Sequence, residues 1–462
     1  MAALEAASFR DPSGHVFYLD DRIYRTVSAQ AADDFEFVRG WLCELETSGA
    51  IVASTEVDPT LLGEAGAGAA HVLEHPKLPF ISWPYEWSFP LLKSAALFHL
   101  DLQLKSLERG ITLSDASAYN IQFQGVMPIF IDTLSFRRYR EGEFWTGHRQ
   151  FCEQFLNPLL LRALFRIPHN AWYRGALEGI SGQDLARLLP LRRKLSWNLL
   201  THVVLPQKLQ AAALAREGGK VGEIKKRTLP KSALVNMLRQ LKSWIEKLRP
   251  ADSGKTVWGD YEAESQSTYS DNNHAAKRQF IAEFARRCRP TLAWDLGCNT
   301  GDYSEMLIEA GAKHVIGFDF DQRALEKAYQ RAAAKKLDFL PLFLDAANPS
   351  PSQGWLQGER KGLADRAPAD AIVALAFVHH LAIARNVPLQ GVVGWLTSLA
   401  PAGVIEFVPK SDPTIQRMLA LREDIFSEYT EDNFRSALSA RARIVGEQVV
   451  SASGRRLFCY ER

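Results

Sequence analysis

Cysteine is scarce in this chain of 462 residues, and its five copies, at 43, 152, 288, 298 and 459, form no Cys-x-x-Cys pair. That scatter argues against a disulfide framework or a zinc site and for a reducing compartment. Long apolar runs are missing too. None approaches the roughly 20 residues of a membrane span, so no membrane association is expected. The first residues include Glu5, Arg10 and Asp11 where a signal peptide requires an apolar core. Excess charge is also lacking: a formal net charge of +2 creates no field that draws the chain to nucleic acid or an anionic surface. Nucleic acid is therefore an unexpected partner. What remains is a cytoplasmic globular protein, 47% hydrophobic and 23% charged, with ample core. Its length suits two or three domains.

The informative stretch is 292–301, Leu-Ala-Trp-Asp-Leu-Gly-Cys-Asn-Thr-Gly. An apolar run reaches Asp295, a glycine-rich turn spans Gly297 to Gly301, and an amphipathic segment starts at Tyr303. Strand, tight turn and helix N-terminus form the corner at which an open α/β sheet receives a nucleotide-like ligand. Glycine lets the backbone approach such a ligand, and Asn299 tolerates a left-handed conformation. A dinucleotide site would show Gly-x-Gly-x-x-Gly. Here the order is Asp-x-Gly-x-x-x-Gly, and a carboxylate at the strand end suits a positively charged ligand better than a pyrophosphate.

Acids recur at later strand ends. Asp319 closes the apolar run 313–321, 18 residues beyond Gly301, the interval at which a carboxylate reaches ribose hydroxyls. Asp345 closes a third strand, 339–345. A fourth, 370–377, is apolar throughout, as a doubly buried parallel strand should be, and runs into His379 and His380. A fifth, 403–408, carries Glu406, whose buried carboxylate requires a partner. Two helices then lead to strands near 443–447 and 456–460.

This series resembles the class I S-adenosylmethionine (SAM)-dependent methyltransferases over about residues 260–462. The resemblance implies a doubly wound, Rossmann-like α/β sheet ending in an antiparallel hairpin, with SAM as cofactor. It implies that Asp295, Gly297, Cys298, Asn299 and Gly301 cradle the cofactor, with Asp319 and Phe320 at its ribose. It places Asp345, with Ala346 beside it, at the adenine amine. Tyr261, Tyr269 and Lys277 fall where related enzymes close a lid. Either His379 or His380 is a candidate for the base that an O–H or N–H acceptor requires, with Glu406 as a further catalytic candidate. Asn348-Pro349-Ser350-Pro351 follows the third strand rather than the fourth, and reads as a turn.

The N-terminal half, 1–215, reads as an α+β domain. A hairpin flanks Asp20-Asp21, a helix runs from about Ala31 to Thr47, and another from about Phe89 to Arg109. Between them the aromatic run Trp83-Pro84-Tyr85-Glu86-Trp87 reads as core and hinge packing. Asp115, Asn120 and Asp132 have the spacing of a catalytic base and two metal ligands in phosphoryl transfer. The passage resembles a degenerate protein-kinase-like C-lobe. Ser114 stands where that family has Arg, Thr133-Leu134 replace Phe-Gly, and no glycine-rich phosphate loop precedes them. Residues 216–259 read as a basic linker with an amphipathic helix at about Lys231 to Leu248.

The layout as a whole is similar to bacterial methyltransferase-like proteins that include nodulation-associated members. That implies methyl transfer to an O or N atom of a small-molecule or glycan acceptor. A bifunctional or phosphoryl-transferring protein and an RNA methyltransferase are the rival readings.

Overall fold

A computed structural model describes residues 2–205, 228–252, 271–420 and 423–462. Tyr261, Tyr269 and the basic run 225–227 lie outside them. Among the described residues, no helix is long and apolar enough to cross a membrane.

The first half begins with short antiparallel strands: β1 (Ala3–Leu4), β2 (Val16–Leu19) and β3 (Arg22–Ser28). Leu19 pairs with Arg22, leaving a two-residue loop in which Asp20 and Asp21 both take positive φ, 48° and 62°. Such a turn matches the twist of the flanking strands, and Asp tolerates its backbone better than most residues. Helix α1 (Ala32–Thr47) follows and buries Phe35, Val38, Leu42 and Leu45. Next come β4 (Thr55–Val57) and β5 (Ala69–His75), closing a five-stranded sheet in the order β1-β2-β3-β5-β4.

Beyond it, α2 (Phe89–Glu108) leads to two small ladders. One pairs β6 (Ile111–Leu113) with β9 (Phe136–Arg138), and the other pairs β7 (Ile121–Gln124) with β8 (Met127–Phe130). Residues 148–165 make one helix, α3, whose middle turn, Cys152–Leu156, is π-helical. A shorter helix, α4 (197–204), contains a second π turn at Leu200–Val204. Helix α5 (Lys231–Lys247) buries Leu234, Leu238, Leu241 and Ile245, the stripe its periodicity predicts. It lies on α2, with Lys242 bonded to Asp101 at 2.8 Å and Lys93 to the Glu246 carbonyl at 2.8 Å. The described part of 216–259 is thus packed against the first half, with Arg239, Lys247 and Arg249 exposed.

The second half is entered through α6 (Asp271–Cys288). Its seven strands are β10 (Leu292–Leu296), β11 (His314–Asp319), β12 (Phe339–Phe343), β13 (Ala371–Ala374), β14 (Ala402–Phe407), β15 (Arg443–Val449) and β16 (Arg456–Glu461). They are ordered β12-β11-β10-β13-β14-β16-β15, parallel except for β16, which runs antiparallel to both β14 and β15. Helices α7 (Asp302–Glu309) and α8 (Gln322–Lys335) cross between the first three strands. The chain reverses its direction of travel across the sheet beside β10. In an open α/β sheet the crevice outside the strand ends at that point receives the ligand. The fold is the mixed α/β, Rossmann-like arrangement that the acids and apolar runs imply, behind an α+β first half.

One hydrophobic core runs through both halves. Phe80 meets Trp294 and Phe318 edge-on, with ring centroids 5.8 and 6.1 Å apart. Trp87, fully buried, bridges through its backbone to Leu342 on β12, so the outer strand of the parallel sheet is covered rather than left as an open edge. Arg366 donates to Glu86 through both terminal nitrogens and to the Ile81 carbonyl at 2.8 Å. Those two side chains are only 5% and 4% exposed.

Removing one member of a sealed ion pair strands the other charge at a cost of about 3–5 kcal/mol. Arg366→Ala is therefore expected to lower unfolding free energy by about that amount, measured by urea denaturation. A loss near zero would mean that the seam is wetter than its geometry.

Candidate functional site

The site is built on the corner between β10 and α7. Gly297 and Gly301 take φ of 80° and 83°, and Asn299 takes 49°. A Cβ on Gly301 would lie 2.5 Å from the Phe339 ring, so that position excludes any side chain. The amides of Gly297 and Cys298 both donate to the Phe318 carbonyl, at 2.8 and 3.0 Å, which folds the loop back over β11. Cys298 is buried, and its side chain fills the space above Gly317, where a Cβ would sit 2.8 Å from the Cys298 sulfur. Gly317 and Phe339 are thus as necessary to the loop as its own glycines. Neither carries a motif, and only the pairing of β10, β11 and β12 reveals them.

Two of the acids, Asp295 and Asp319, are bonded to this loop and the helix that follows it. Asp319 accepts from the Asn299 amide on one oxygen and from the Asp321 amide on the other, each at 2.8 Å. Asp295 is 2% exposed and accepts from the Ser304 hydroxyl at 2.6 Å, tying β10 to α7. Burial pushes the Asp295 carboxyl up to about 7, the Ser304 bond opposing and the Asp319 charge adding. Asp319 is pushed up to about 6, again by burial, with the two amides opposing. Asp345, half-buried, holds the Ala347 amide at 3.1 Å and lies 3.8 Å from Arg385. Ala346 packs against the core, and Phe320 stands 53% exposed with its ring 5.6 Å from Phe343. Two carboxylates raised by desolvation beside a tight glycine turn fit a ligand with a cationic centre and hydroxyls, as SAM has.

At the end of β13 the chain turns through Ala376, whose φ of 49° is uncommon for a residue with a side chain. Its amide donates to Glu406 at 2.7 Å, and Lys277 of α6 reaches the same carboxylate oxygen at 2.6 Å. Glu406 is fully buried, and its carboxyl stays below the usual carboxylate range. Burial alone would raise it, but the Lys277 and Arg455 charges prevail. Arg455 also grips Asp412 through two bonds of 2.7 and 2.8 Å, joining the terminal hairpin to the loop after β14. The partner that a buried Glu406 requires is supplied here from within the protein. Lys277 takes its charge and Ala376 fixes its direction.

His379 and His380 lie on a short helix, α9 (Val378–Ala382), rather than on the strand itself, with ring centroids 4.2 Å apart. His379 is fully buried, and burial holds its pKa well below the usual value. His380 is half-buried and pulled down to about 4, also by burial. Of the pair, His380 has the better access to solvent.

In the first half, Asp115, Asn120 and Asp132 do meet. Asn120 donates to Asp115 at 3.2 Å and to Asp132 at 3.1 Å. Arg25 of β3 is bonded to Asp132, whose other oxygen also takes the Ser135 hydroxyl. A guanidinium thus neutralises the carboxylate that a phosphoryl-transfer centre would reserve for a metal ion, and the triplet is bonded within the protein.

Residues 294–405 match the family model described as a methyltransferase domain. Nodulation protein NoeA of Rhizobium meliloti (strain 1021) is 50% identical over 457 residues, which cover 99% of this chain and 96% of that protein. Two solved structures are more distant. Magnesium protoporphyrin IX methyltransferase (ChlM) from Synechocystis PCC 6803, with bound SAM, is 19% identical over 41% of this chain and 80% of its own, at a TM-score of 0.30. N-methyltransferase NodS from Bradyrhizobium japonicum WM9, with S-adenosyl-L-homocysteine, is 13% identical over 44% and 97%, at 0.31.

Folding raises both carboxyl pKa values from 3.8, so the folded chain keeps protons that the unfolded chain has released. The contribution of these two groups to cofactor-free stability is fullest below 3.8 and is lost as pH climbs to about 6 and about 7. Binding a cation requires the ionised form, so SAM affinity is expected to rise across that same window. Isothermal titration at several pH values measures it, and an affinity flat from pH about 6 to about 7 would count against the assigned roles.

Proposed function

The chain belongs to the family of nodulation protein NoeA and is a SAM-dependent methyltransferase, and on that premise we propose that its acceptor is a small molecule or glycan methylated at oxygen or nitrogen. The observation that carries the cofactor side of this reading is the meeting of Asp295 and Asp319 at the loop in which Gly301 leaves no room for a Cβ. Gly297, Cys298, Asn299 and Gly301 form the cradle. Asp319 accepts from the ribose hydroxyls with Phe320 beside it, and Asp345 with Ala346 borders the adenine. Bound SAM supplies an electrophilic methyl on its sulfonium. Methyl transfer is an in-line displacement, so aligning the acceptor accounts for most of the catalysis.

His380 is our candidate base. With its pKa lowered to about 4, it is the neutral imidazole at pH 7, the form able to take a proton from the acceptor. Glu406 acts as a positioning residue, holding Lys277 and the Ala376 turn at the mouth of the site. The name of NoeA, a nodulation protein, is compatible with a metabolite-sized acceptor. The near-neutral charge counts against RNA.

Two outcomes are expected. Wild type binds SAM in isothermal titration and passes labelled methyl into the small-molecule fraction of a metabolite extract, while Asp319→Ala binds at least about tenfold more weakly, a loss of about 1.4 kcal/mol. Label entering only RNA or protein would overturn the acceptor class. His380→Ala is expected to lower turnover about 100-fold with SAM affinity unchanged. Unchanged turnover would remove it as the base.

A further inference from the structure

Away from the methyl-transfer site, three side chains of metal-ligating type converge among the helices of the first half. His148 and Cys152 lie four residues apart, so they project from one face of α3. His202 approaches from α4. The His148 Nε2 lies 3.0 Å from the His202 Nδ1 and 3.8 Å from the Cys152 sulfur, and all three ligand atoms fall within 4.8 Å of one another. Cys152 and His202 are 4% and 5% exposed. Trp244 of α5 stacks on His202, with ring centroids 6.3 Å apart.

A hydrogen bond between two imidazoles would account for the two rings alone, but it requires no thiol beside them. A tetrahedral zinc ion with Zn–N of about 2.0–2.1 Å and Zn–S of about 2.3 Å has an N–N edge near 3.4 Å and an N–S edge near 3.6 Å. The 3.0 Å N–N and 3.8 Å N–S separations lie within about 0.4 Å of those edges, and the Cys152–His202 pair, within 4.8 Å, draws in to complete the set. Each of the two helices is also widened to a π turn at the ligand or beside it, Cys152–Leu156 and Leu200–Val204. A π turn re-aims a side chain relative to a regular helix, and such turns recur at functional sites.

We propose that His148, Cys152 and His202 form a zinc site in the N-terminal half, with water or another small ligand in the fourth position. One thiolate and two imidazoles suit Zn²⁺ in charge and softness, and they disfavour Mg²⁺ or Ca²⁺, which take oxygen ligands. On coordination Cys152 releases its thiol proton to solvent. The ion would cross-link α3 to α4 beneath α5, joining segments about 50 residues apart in sequence. It would act as a structural staple and take no part in methyl transfer.

The test uses the full chain without a histidine tag, incubated with zinc and desalted. Elemental analysis is expected to find about one zinc per chain in wild type and below about a tenth of that in Cys152→Ser and in His202→Ala. Cobalt substitution is expected to give wild type a thiolate-to-cobalt charge-transfer band that Cys152→Ser lacks. Chelation should lower the melting temperature while SAM binding persists below it. Wild type that retains no zinc or shows no cobalt band overturns the proposal, and that reading stands even if the variants fail to fold. Zinc retained equally by folded Cys152→Ser overturns it as well.

Discussion

A carboxylate and a guanidinium, both nearly shut off from water, fasten residues 80–87 to the segment that follows β12. Glu86 and Arg366 each have little water to fall back on, so their bonds to one another fix how the two halves meet. Around them Phe80, Trp83 and Trp87 fill the seam, with the Arg366 guanidinium 4.8 Å from the Phe80 ring. Dispersion and burial hold the halves together, and the paired charges set their register. Trp87 covers β12 from the first half, and Asp345 lies just beyond the end of that strand.

The same economy governs the cofactor corner. Phe339 lies beneath two strands' worth of glycine, so one aromatic ring on β12 dictates which residues β11 and the β10 loop can carry. Asp295 is then buried with the Ser304 hydroxyl as its donor, beside the half-buried Asp319, a state that is costly for charged carboxylates unless a cation or hydroxyls arrive. Glu406 is resolved in the opposite sense. Its charge is matched by Lys277 of α6. Carboxylates of one chemical type thus divide into ligand-seeking and structural groups according to whether a cation of the protein reaches them.

Much of the second half was legible residue by residue. The apolar runs ending in Asp295, Asp319 and Asp345 mark strand ends because a doubly buried strand must be apolar until it emerges. The left-handed turn at Asp20-Asp21 and the stripe of α5 follow from equally local rules. The first half was less legible because its meaning depends on contacts far apart in sequence. Asp115, Asn120 and Asp132 have a spacing that suggests a metal centre, yet Arg25, about 100 residues away from Asp132, supplies the positive charge. The scattered cysteines hide the convergence of Cys152 with two histidines for the same reason, since one of the three comes from a separate helix.

By itself, then, the sequence determined the order of strands and helices in the second half, the glycine corner and the acids that flank it. Those depend on periodicity and on backbone geometry within a few residues. Only the tertiary structure decided which buried charges are already paired, which histidine keeps access to solvent, and that Gly317 and Phe339 shape the cradle. Burial and pairing are properties of what packs against a side chain, and no spacing along the chain encodes them.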